Sequence, residues 1–175
     1  MVFYIKVFPS ICSVFKGGYE GTGAYAQLRG DWTAGKIRVT YKPGLKSRSP
    51  ITDTVEAYLF ISSLWNKELI TLQEQMMAVF MNRTGQVIGY RLLNTGNISH
   101  CEIDTRLLVS LALHCMASSV IIAHNHPSGN LTPSDADITL TKKVSDALLL
   151  IDITLLDHLI ISRSNWLSMS SKGLL

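Results

Sequence analysis

Residues 119–123, SVIIA, constrain the fold more than any other stretch of the chain. After Ser119 every side chain is apolar, so the segment has no polar side to turn toward water. A strand of this kind is buried on both faces, which demands a covering layer above and below its sheet. Residues 75–81 (QMMAVFM) are apolar enough to lie beside it. A hairpin signal at Asn82-Arg83-Thr84-Gly85 joins them to a second strand over 87–93. Alternating Ile37, Val39 and Tyr41 predict an earlier strand, ended by Pro43-Gly44. Residues 153–161 and 166–169 read as closing strands. Between the strands lie helical signals. Asp53 stands three residues before Glu56, a capping-box-like start to a helix ending near Trp65. Asp104 caps a helix to about Met116, and Thr132-Pro133 gives an N-cap with proline at the first helical position of a helix to about Leu150. Helices interleaved with strands predict an α/β sheet with helices packed on its faces.

The 175-residue chain is 47% hydrophobic and 17% charged, which excludes disorder over its whole length. No apolar run reaches the roughly 18–20 residues that span a bilayer; the longest, 147–161, is broken by Asp152, Asp157 and His158. Lys6 and Pro9 interrupt the leading apolar stretch, a poor signal peptide. A soluble cytoplasmic protein is expected. Cys12, Cys101 and Cys115 form no paired motif and are expected as reduced, buried thiols. Residues 1–35 are glycine-rich and aperiodic and are set apart from a domain over 36–175. Charge is uneven: residues 1–48 carry eight Lys or Arg against Glu20 and Asp31, a net +6, so with +3 overall the rest carries −3. A basic leading segment is a candidate nucleic-acid arm.

The chemistry gathers in His124-Asn125-His126-Pro127-Ser128-Gly129 and the following Pro133-Ser134-Asp135-Ala136-Asp137. On an extended backbone His124 and His126 point to one side and Asn125 to the other. Asp137 falls in the first turns of the next helix, with Ser134 three residues earlier on the same face. Strand end, tight loop and helix start therefore converge two imidazoles, a carboxylate and a hydroxyl. That donor set suits Zn²⁺ with a fourth position left to water. A zinc deaminase would need H-x-E and P-C-x-x-C, both absent. His158, set among apolar residues, reads as a core histidine or one supporting the ligands. His100 and His114 receive no role.

This pattern, His124-x-His126-Pro127 to Ser134-x-x-Asp137, resembles the JAMM metalloprotease motif in the form carried by RadC-like proteins. Asp104-Thr105-Arg106, Leu156-Asp157-His158-Leu159-Ile160-Ile161 and the ending from Ser168 to Leu175 resemble that family as well, so the likeness runs over about 51–175. Nothing in this sequence resembles the helix-hairpin-helix element that leads longer RadC proteins. The resemblance implies an αβα sandwich of the cytidine-deaminase-like JAB/MPN kind with a mixed sheet. It implies zinc held by His124, His126 and Asp137, a glutamate as general base and Ser134 as oxyanion donor. Glu74 matches the glutamate position, and Glu102 is its rival. The activity implied is hydrolysis of an amide or isopeptide bond in a peptide substrate. Two other functions compete: a nucleic-acid or DNA-repair association, and a metal-binding module without activity.

Overall fold

The structure is a computed structural model describing residues 50–95 and 103–175. The strand expected at 37–41, the boundary near residue 35, the basic segment, Cys12, Cys101, His100 and Glu102 lie outside the described residues. The elements are α1 (Thr54–Leu64), β1 (Gln75–Met81), β2 (Val87–Thr95), α2 (Thr105–His114), β3 (Ser119–Asn125), α3 (Asp135–Leu149), β4 (Thr154–Ile161) and β5 (Trp166–Ser168). The strands form one mixed sheet in the order β2-β1-β3-β4-β5. Only β3 and β4 pair in parallel among the described strands; the other neighbours are antiparallel.

The period of two in β1 and β3 builds the layers. Met76, Ala78 and Phe80 join Val120 and Ile122 beneath Leu108 and Ala112 of α2 and Val144 and Leu148 of α3. Met77, Val79 and Met81 join Ile121 and Ala123 against Ala57 and Ile61 of α1. The chain is thus an αβα sandwich. All seven residues of β1 and all seven of β3 are buried, and each large apolar side chain buried contributes about 1.5–3 kcal/mol relative to exposure. These two strands hold the layers together. The hairpin between β1 and β2 turns on Asn82, whose Oδ1 accepts from Thr84 N and Gln86 N, both at 3.0 Å. Gly85 there has φ +78°, and a Cβ on it would meet Ile51 O at 3.1 Å, so both conformation and space ask for glycine.

The helix starts follow their caps. Asp53 Oδ1 accepts from Glu56 N at 2.8 Å and Asp104 Oδ1 from Arg106 N at 2.9 Å, as the sequence indicates. The start of α3 differs from expectation. Its N-cap is Ser134, two residues beyond Thr132, and Pro133 precedes the cap instead of opening the helix. The reason is reciprocity: Ser134 Oγ accepts from Asp137 N at 3.2 Å, and Asp137 Oδ2 accepts from Ser134 N at 2.8 Å. This capping box satisfies two helix-end donors, more than Thr132 offers. Cys115 is half-buried, not sealed in the core, and is a free thiol. Among the described residues no helix is long and apolar enough to cross a membrane.

This topology brings three chain segments to one end of the sheet. In a parallel β–α–β unit the end of the first strand and the start of the helix share an edge, the usual place for a ligand. Here that edge holds the end of β3 and the start of α3. Antiparallel pairing sets Met76 opposite His124, so the beginning of β1 arrives at the same place.

Candidate metal centre

His124 has the parity of Val120 and Ile122 and therefore lies on the α2/α3 side of the sheet, where it is 2% exposed. His126 sits just past the strand, its N–H donating to Ile161 O at 2.9 Å. The loop then folds back. Gly129, at φ +81°, donates its N–H to His126 O at 3.0 Å, and Asn130 O comes to 2.6 Å from His126 Nδ1. A carbonyl only accepts, so Nδ1 carries the hydrogen and Nε2 is left for the site. Asp137 arrives from the first turn of α3. Its Oδ2 takes Ser134 N and Ser134 Oγ, the latter at 2.7 Å, while Oδ1 stands 3.1 Å from His124 Nε2.

Three donor atoms therefore face one another: His124 Nε2, His126 Nε2 and an Asp137 carboxylate oxygen, all within 4.8 Å. The two Nε2 atoms are 2.9 Å apart, and His126 Nε2 is 3.7 Å from Asp137 Oδ2. A tetrahedral zinc site with bonds of about 2.0–2.2 Å sets its donor atoms roughly 3.3–3.6 Å apart. The observed spacings straddle that value, so the residues present fit a zinc ion with three protein ligands. The donor chemistry agrees. Lone pairs held this close repel unless a cation, proton or metal, lies between them.

The electrostatics match that donor set. Burial alone would raise the Asp137 carboxyl, but the neighbouring His124 and His126 rings, together with the Ser134 hydrogen bond, hold it well below the usual carboxylate range. The nearby Asp137 carboxylate raises His126 above an ordinary imidazole against the effect of burial, and the charge of Glu74 acts in the same direction. Burial pushes His158 well below its ordinary value.

An open cleft of about 830 Å³ borders this cluster, walled by Glu74, Ile103, His126, Ser134, Asp137 and Lys143. Glu74 is half-buried at the residue before β1. Its backbone is gripped on both sides by Asn125: Asn125 Oδ1 accepts from Gln75 N at 2.7 Å, and Asn125 Nδ2 donates to Gln73 O at 3.0 Å and Ile70 O at 2.7 Å. Asn125 thus points away from the two histidines, as its parity requires, and fixes the segment that carries Glu74. His158, fully buried, contacts His124 Nδ1 through its Nε2 at 2.7 Å and Thr141 Oγ1 through its Nδ1 at 2.6 Å. Sequence reasoning missed Thr141, although its spacing of four from Asp137 on one helix was a usable signal. Ser134, expected as an oxyanion donor, spends its hydroxyl on Asp137 in this structure. His114 bonds within α2, to Ser110, away from the site.

A two-sided α/β sandwich with a His-His-Asp cluster at the β3–α3 edge of its sheet defines an α/β domain built around a candidate metal centre. A sequence-family profile described as RadC-like JAB domain matches residues 51–174, and the chain belongs to that family. It is 43% identical over 103 residues to the UPF0758 protein YfjY of Escherichia coli (strain K12), covering 59% of this chain and 64% of that one. It is 36% identical over 156 residues to a UPF0758 protein of Marinobacter nauticus, covering 89% of this chain and 67% of that one. A UPF0758 protein of Porphyromonas gingivalis is 40% identical over 130 residues, 73% of this chain and 56% of that one. The chain thus spans a little over half to two thirds of the length of these relatives.

Proposed function

We propose that the chain is a zinc-dependent hydrolase of an amide or isopeptide bond. The observation that carries this reading is the His124, His126 and Asp137 cluster on the wall of an open cleft that Glu74 also lines. JAB domains include hydrolases, which supports the reaction class. His124, His126 and Asp137 would hold the metal. Bound there, zinc would supply Lewis acidity, drawing the pKa of a water down toward neutrality and polarising a carbonyl. Glu74 accepts the proton of the attacking water and returns it to the leaving amine. Asn125 holds Glu74 in place through the backbone on either side. Ser134 donates to the developing oxyanion once its hydroxyl turns from Asp137 Oδ2, a donor whose removal costs roughly 10²–10³ in rate. The open cleft leaves room for a peptide or isopeptide substrate.

The test uses Glu74→Gln. The variant keeps its zinc and loses hydrolysis of a panel of fluorogenic peptide and isopeptide substrates that the wild type cleaves. Undiminished cleavage would move the base to another carboxylate, Glu102 first. A wild type that holds zinc and cleaves nothing in the panel would favour a metal-binding module. Association with nucleic acid is a second reading, favoured by the net +6 of residues 1–48. It requires DNA binding that weakens steeply with salt.

A further inference from the structure

We propose that Thr141 and His158 are positioning residues that commit His124 Nδ1 to the core and turn its Nε2 toward Asp137, through a buried chain of hydrogen bonds that starts and ends at metal-ligand residues. The proposal rests on the metal-centre reading for its purpose, but its geometry stands alone. The chain is fixed by counting hydrogens from one end. Thr141 Oγ1 lies 2.6 Å from Asp137 O, four residues earlier in α3. That carbonyl can only accept, so it takes the one hydroxyl hydrogen of Thr141, the back-bond a helical threonine commonly makes. Met169 Sδ, at 3.6 Å, is a weak alternative acceptor. Thr141 Oγ1 must then accept from His158 Nδ1, 2.6 Å away.

His158 is fully buried, and its ring nitrogens meet an imidazole and a hydroxyl, with no carboxylate on either. A charge there would be uncompensated, so the ring is neutral, with one hydrogen. That hydrogen is on Nδ1, which leaves Nε2 as an acceptor. His124 Nδ1, at 2.7 Å, must supply the hydrogen it accepts. His124 Nδ1 is thereby committed to the core, and Nε2 is the atom left to face the site, 3.1 Å from Asp137 Oδ1.

The result is a ring of contacts: Asp137 carboxylate, His124, His158, Thr141 and the Asp137 carbonyl. It ties a strand ligand to a helix ligand through the core. The third ligand, His126, is fixed separately by Asn130 O from a surface loop. His124 and Asp137 are thus tied to each other through the core, while His126 is held from the loop that follows it. Partners of this kind, one shell outside the ligands, typically change metal affinity 10–100-fold when removed.

Nitrogen-15 NMR of histidines in the metal-free protein tests the tautomers directly, and a competitive chelator titration with Zn²⁺ tests their consequence. The wild type is expected to show Nδ1–H with unprotonated Nε2 on His158, and a His124 resonance coupled to it. Thr141→Val keeps the shape and removes the hydroxyl. It is expected to lose the single His158 tautomer and to weaken zinc binding roughly 10–100-fold. Thr141→Ser restores the hydroxyl and is expected to restore both readouts to near the wild type. Three results would overturn the proposal: Nε2–H on His158 in the wild type, Thr141→Val with unchanged tautomer and affinity, or Thr141→Ser as impaired as Thr141→Val. A wild type that binds no zinc refutes the metal centre instead, and the NMR spectra still decide the hydrogen-bond chain. If Thr141→Val does not fold, the wild-type and Thr141→Ser spectra decide it.

Discussion

Asn125→Ala is the perturbation that the fold argument predicts most sharply. Asn125 is fully buried, and its amide makes three hydrogen bonds of 2.7, 2.7 and 3.0 Å to backbone some 50 residues earlier. Alanine leaves the buried Gln75 N–H and the Ile70 carbonyl without partners, because β1 and β3 exclude water on both sides. Each such group costs about 1–3 kcal/mol. Gln73 is only half-buried, so water can reach its carbonyl and recover part of that bond. The expected loss is about 3–5 kcal/mol, large beside the roughly 5–15 kcal/mol of a typical domain. Urea unfolding followed by far-UV circular dichroism measures it as a drop in midpoint at unchanged slope. Asn125→Asp sharpens the test. It keeps an acceptor for Gln75 N–H but turns a carboxylate oxygen toward the two carbonyls. Burial and those carbonyls raise its folded-state pKa, so its contribution is present below the unfolded value of about 3.9 and is lost as pH rises through the folded one. Relative to the wild type at the same pH, Asn125→Asp is therefore weaker at pH 7 than at pH 4. An Asn125→Ala loss below about 1 kcal/mol would refute the claim that this side chain anchors the segment carrying Glu74.

Three further outcomes are expected. Chelation with EDTA lowers the melting temperature of the wild type but not of His124→Ala; at a hundredfold excess of zinc over Kd the linkage is about 2.7 kcal/mol, or roughly 5–10 °C. Zinc affinity falls with acidification, because protons compete for the imidazole lone pairs; since Asp137 raises His126, the fall begins at higher pH than for an ordinary imidazole, and chelator titrations from pH 8 to 5 would show it. Deleting residues 1–35 leaves a soluble protein that still binds zinc and, if the nucleic-acid reading holds, removes salt-dependent DNA binding seen by fluorescence anisotropy; an insoluble or metal-free product would show that the segment completes the core.

What the sequence could reveal depended on how local the cause was. The layered α/β fold was legible because β1 and β3 have no polar face, and Asp53 and Asp104 announce their helices by short-range capping. The grouping of His124, His126 and Asp137 was legible for the same reason: a period of two places His124 and His126 together, and helix geometry places Asp137 beside them. The start of α3 was displaced because Thr132-Pro133 and Ser134 to Asp137 both satisfy capping rules, and only the latter pair bonds reciprocally. The partners of Asn125 and the contacts of His158 were not legible. They depend on which strands lie side by side: β1 against β3, and β4 in parallel register with Ile122 opposite His158. No local pattern specifies such pairing, so His158 could be read as a buried histidine but not as the neighbour of His124.

The metal content of the purified protein tests the central claim most directly. Protein prepared without added metal, dialysed and measured by elemental mass spectrometry, is expected to carry one zinc per chain. The His124→Ala, His126→Ala double variant, folded by circular dichroism, is expected to carry none. A metal-free wild type that also fails to take up added zinc would contradict the account, as would stoichiometric zinc in the double variant.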